Sequence, residues 1–85
     1  MSNISIARSI FLANVNKLQD GVYKEVNKDR PYKAFRQETI ALIAAGIKGN
    51  KSTASTMFTT IKNASIKANP MLSDVLKRDA ALGRK

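Results

Sequence analysis

The stretch "ETIALIAAGIKGNKSTASTMFTT", residues 38–60, decides how this chain folds, because an apolar run gives way across "GIKGN" to a hydroxyl-rich one. The apolar part consists of strong helix formers and follows Pro31, a residue suited to the first turn of a helix. A helix from Pro31 buries Phe35, Ile40, Leu42, Ile43 and Ile47 and ends near Gly46–Gly49, where two glycines offer positive backbone angles. Asn50 or Ser52 then caps a second helix, in which Ala54, Met57, Phe58, Ile61, Ala64 and Ala68 share one arc. Lys51, Ser52, Ser55, Thr56, Thr59, Lys62 and Asn63 fall on the opposite arc. Adjacent Met57 and Phe58 break the two-residue period of a half-buried strand, so the helix is preferred.

The flanks read the same way. Asn3 or Ser2 can cap a helix over residues 5–19, with Ile4, Ala7, Phe11, Val15 and Leu18 at helical spacing and Val22 beyond them. The Asp20–Gly21 break, a short helical turn through Val22, Tyr23 and Val26, and a boundary near Asp29–Pro31 follow. Asn69–Pro70 ends the hydroxyl-rich helix, and a last one carries Leu72, Val75, Leu76 and Leu82 on its apolar side before a frayed basic "GRK" tail. The expected fold is all-α: one domain over residues 1–85, a small bundle of about four helices with a helix-turn-helix-like unit at 34–64. Within it, 1–29 is an amphipathic helix and linker, 30–69 the basic unit, and 70–85 the last helix and tail.

Charge concentrates in the middle. Fifteen Lys and Arg against six Asp and Glu give +9, divided as +1 over residues 1–29, +6 over 30–69 and +2 over 70–85. No acid stands between Glu38 and Asp74, so a fold gathering these residues presents a positive face that concentrates polyanions. Several chemistries are absent from the chain's repertoire. With no Cys and no His there are no disulfides, thiolates, imidazole bases or usual zinc ligands, and the scattered carboxylates form no acid/base pair. The expectation is a protein that is not an enzyme and uses no cofactor. The longest apolar stretch, "IALIAAGI" at 40–47, falls far short of a membrane span, and the N-terminus lacks a signal-peptide pattern. A cytoplasmic protein without membrane contact is expected.

The candidate nucleic-acid contacts are Arg30, Lys33 and Arg36 as a backbone clamp, with Tyr32 lending an aromatic surface. Lys48, Lys51, Lys62 and Lys67 reach phosphates, and Ser52, Ser55, Thr56, Thr59 and Asn63 bond phosphate oxygens or base edges. Phe35 and Phe58 belong to apolar stripes and are assigned to the core. No Arg lies on the hydroxyl-rich helix, so low-specificity duplex binding is expected in place of guanine readout. Single-stranded RNA is the nearest variant, and few aromatics favour it. The stripe Ile4, Phe11, Val15, Leu18 and Val22, with Ile6, Ile10 and Leu12 on other sides, exceeds what a small core readily covers; it is expected to pair two chains as a homodimer, the other reading being closure of the monomer's own core.

The run "RQETIALIAAGIKGNKSTASTMFTTIKNA", residues 36–64, resembles a segment of small basic bacteriophage proteins. In these a helix precedes a Thr/Ser-Lys-rich turn and a helix carrying "AST", an aromatic and a lysine, here Ala54, Ser55, Thr56, Phe58 and Lys62. The resemblance implies a phage or mobile-element origin, a bacterial host cytoplasm, and a helical DNA-binding regulator of transcription. Its alternative is a host-takeover protein that binds a host nucleic-acid-binding protein or transcription complex, since an acidic protein surface satisfies the same charge.

Overall fold

In the computed structural model, which describes residues 2–20 and 31–82 but not the side chains of Pro31 and 78–82, four α-helices and no strand are found among the described residues. Helix α1 spans Asn3–Gln19, α2 Pro31–Ile47, α3 Lys51–Ala68 and α4 Met71–Leu82. Local chemistry sets these limits. Ser2 caps α1, its Oγ accepting from the Ser5 N–H at 3.2 Å, and Asn50 caps α3, its Oδ1 accepting from the Thr53 N–H at 2.8 Å. Asn69 stops α3 and starts α4: its backbone N–H donates to Ser65 O, while its Oδ1 accepts from Met71 N–H at 3.3 Å. The turn expected at Val22–Val26, the boundary near Asp29–Pro31 and the basic tail lie outside the described residues.

One phenylalanine from each of the first three helices meets at the centre. Phe11, Phe35 and Phe58 form a closed edge-to-face triangle with centroids 5.7–5.9 Å apart, each pair contributing about 0.5–1.5 kcal/mol beyond its area burial. The assignment of Phe35 and Phe58 to the core holds. Around the triangle lie Ala7, Val15, Leu18, Ile40, Ile43, Ala54 and Ile61, with Leu72 and Leu76 closing from α4.

The buried faces differ from the expected ones in particular places. On α1 and α2 two polar residues go inside: Asn14 Nδ2 donates to Thr39 Oγ1 at 2.8 Å, and that hydroxyl donates to Phe35 O at 2.6 Å. Leu42, expected in the core, is 39% exposed, and so is Ile4 at 49%. The inward row of α2 is Phe35, Thr39 and Ile43, and Leu42 stands about 100° round the helix from Ile43. On α3 the inward row runs through Ala54, Phe58, Ile61 and Ser65, which turns Ala64 and Ala68 outward. Phe11, Val15 and Leu18 are spent on the chain's own core, so their assignment to a dimer interface is corrected; Ile4 alone of that set stays exposed, and Val22 lies outside the described residues. Ile6 and Ile10 also have a neighbour. A Cβ built on Gly46 comes within 2.8 Å of Ile10 Cδ1 and 3.3 Å of Ile6 Cγ2, so the glycine lets α1 approach α2 closely.

Helix α2 and helix α3 lie side by side. Arg36 and Phe35 meet Ser55 and Phe58, and a turn earlier Tyr32 lies beside Lys62 and Ile66, so steps back from the turn on one helix match steps forward on the other. The helix-turn-helix unit is therefore an antiparallel hairpin and not the crossed pair whose second helix projects into a groove. Ile4 and Arg8 line a cleft with Thr60 and Ala64, and Leu12 and Asn16 line another with Ala68 and Asn69, so α1 and α3 run in the same direction.

Candidate nucleic-acid interface

The turn of the hairpin brings the first cations together. Lys48 N–H donates to Ala45 O at 3.4 Å and Gly49 N–H to Ala44 O at 3.0 Å, the two bonds of a Schellman closure. The left-handed position of that motif falls on Lys48, with φ of 55°, whereas neither Gly46 nor Gly49 lies in the left-handed region. This corrects the expected role of the glycines: helix α2 ends at Ile47, and the residue after it is the lysine. Lys48 and Lys51 thus flank Asn50 on an exposed corner.

Along the hairpin the next cation is Arg36. Its Nη2 donates to Ser55 Oγ at 3.3 Å, and its Cζ lies 5.8 Å from the centroid of the Phe58 ring. The guanidinium is held over the edge of the core with its remaining N–H groups available, since it carries five in all. Glu38, the one acid of the segment, is two residues away and so about 200° round α2, on another side. Further along, Lys62 and Lys77 of α3 and α4 line a cleft of about 240 Å³ with Tyr32, Ile66, Ser73 and Leu76. No acid is among these described lining residues, and Asp74, though next to Ser73, is exposed elsewhere on the first turn of α4.

The hydroxyl face divides. Ser52, Thr56, Thr59 and Asn63 point outward as expected, joined by Thr53, Thr60 and Lys67, whereas Ser55 and Lys62 are half-buried toward α2. Thr56 Oγ1 and Thr59 Oγ1 each donate to the carbonyl four residues back, Ser52 O and Ser55 O, at 3.2 Å. Their protons are therefore committed to the helix and only acceptor lone pairs face out. Phosphate oxygens are acceptors too, so in this arrangement neither threonine binds one. Of the expected contacts, Arg36 and Ser55 come into direct contact, Lys33, Lys48, Lys51 and Lys67 are exposed along the hairpin, and Arg30 lies outside the described residues.

Sequence reasoning missed Lys77, whose place beside Lys62 depends on how α4 folds back. It also missed the Asn14–Thr39 pair, for which a signal existed: each sits within an apolar row, Asn14 between Phe11 and Leu18, Thr39 between Phe35 and Ile43. Comparison with known proteins supplies no relative, since no protein-family model, curated protein or solved structure matches the chain.

Proposed function

We propose that the chain binds duplex DNA with low sequence specificity, through the phosphate backbone and along the flank of the α2–α3 hairpin. The observation that carries this reading is the row of cations Lys48, Lys51, Arg36, Lys33 and Lys62, uninterrupted by acid among the described residues of that flank, with Lys67 on the outer side of α3. From Lys51 to Lys67 helix α3 rises about 24 Å, the axial length of roughly seven phosphates on one strand. Low specificity has a physical cause here. Helix α3 carries no arginine to read guanine, and the committed hydroxyls of Thr56 and Thr59 offer no donors to base edges.

With four to six phosphates neutralised, the log–log dependence of affinity on salt has a slope on the order of −4 to −5, and scrambled duplexes bind within a few-fold of one another. Fluorescence anisotropy at several salt concentrations measures both. Absence of binding at low salt, or binding indifferent to salt, overturns the proposal; retention of an acidic protein after nuclease treatment of the same preparation assigns the cation row to a protein surface instead.

A further inference from the structure

The cleft at the open end of the hairpin has a different character from the rest of the flank. Its walls are Tyr32 from α2, Lys62 and Ile66 from α3, and Ser73, Leu76 and Lys77 from α4. Two cations, one hydroxyl and an aromatic ring thus surround an apolar floor in an open cleft of about 240 Å³. Tyr32 is half-buried, with its ring held 6.2 Å from that of Phe35, so its orientation is tied to the core.

We infer that this cleft takes one unpaired nucleotide: the base packs on Tyr32, Ile66 and Leu76, and its phosphate lies between Lys62 and Lys77. The occupant follows from complementarity. An aromatic surface beside apolar side chains suits the π-face of any base, and paired ammonium groups suit a phosphate, the combination that single-strand binders use. A purely apolar ligand leaves both lysines unanswered, and an inorganic anion leaves the floor empty. The inference rests on the DNA-binding reading and deepens it, since a duplex with a single-stranded end engages the cation row and the cleft together.

The test is anisotropy with a blunt duplex and with the same duplex carrying a three-nucleotide overhang, at one fixed salt concentration. The overhang is expected to tighten binding about fivefold or more, the contribution of one stacked base. Tyr32→Leu keeps an apolar side chain against Phe35 and is expected to abolish that preference; Tyr32→Phe keeps the preference, and Lys77→Gln lowers it. Circular dichroism confirms that each variant is folded. A nucleoside monophosphate that removes the preference in competition assigns recognition to the nucleotide itself, whereas a preference that survives it assigns recognition to a nucleotide joined to the duplex. Equal affinity of wild type for blunt and overhanging duplexes overturns the inference and leaves duplex binding intact. Failure to bind either duplex at low salt overturns the DNA-binding reading as well.

Discussion

Lys48 shows how a single backbone angle records a conflict between folding and charge. At φ of 55° it occupies the position that ends a helix most readily with glycine. A side chain with a Cβ is disfavoured there by about 1 kcal/mol or more. Lys48→Gly is therefore expected to stabilise the fold by about 1 kcal/mol, a rise in Tm of roughly 4–8 °C for a domain of this size. If Lys48 meets phosphate as proposed, the same variant binds duplex DNA more weakly and its salt slope is shallower by about one. Thermal melts and anisotropy on one sample give both readings, and an unchanged or lower Tm contradicts the argument from strain.

Between elements, the Asn14–Thr39 bond sets how α1 sits on α2. Both residues are almost wholly buried, and the threonine hydroxyl is at once acceptor from Asn14 and donor to Phe35 O. Removing one partner strands the other's polar group: Asn14→Ala is expected to cost about 1–3 kcal/mol, with the lost volume adding to it. Replacing both by apolar groups of similar shape, Asn14→Leu with Thr39→Val, is expected to be near neutral. Chemical denaturation of Asn14→Leu, Thr39→Val and the double variant completes a cycle, and additive costs refute the coupling. The element boundaries themselves were legible in the chain. Pro31, Asn50 and the Asn69–Pro70 pair stand where helices begin or end, because caps and breakers act through neighbouring backbone groups and need no tertiary partner.

For the whole molecule, the phenylalanine triangle decides what α1 is for. A stripe rich enough to suggest pairing with a second chain instead closes on α2 and α3, with Phe11 in contact with both Phe35 and Phe58. Phe11→Glu is accordingly expected to unfold the chain, because a carboxylate at a fully buried site has no partner. Loss of the helical circular dichroism signal at neutral pH is the predicted result; a folded variant of reduced mass in sedimentation supports the pairing helix instead.

Helix content, the tight turn at 48–50 and the basic middle segment follow from the chain alone, since propensity, caps and charge are local or additive properties. Which side of each helix turns inward was decided by the neighbour across the interface. Thr39 enters the core while Leu42 and Ile4 remain partly exposed, because Asn14 gives the hydroxyl a bond and the facing helices leave those aliphatic positions at the margin. The cleft is likewise a product of packing alone. Tyr32, Lys62 and Lys77 come from three helices and are brought together only when the hairpin closes and α4 folds back over its open end, a juxtaposition that no local periodicity encodes.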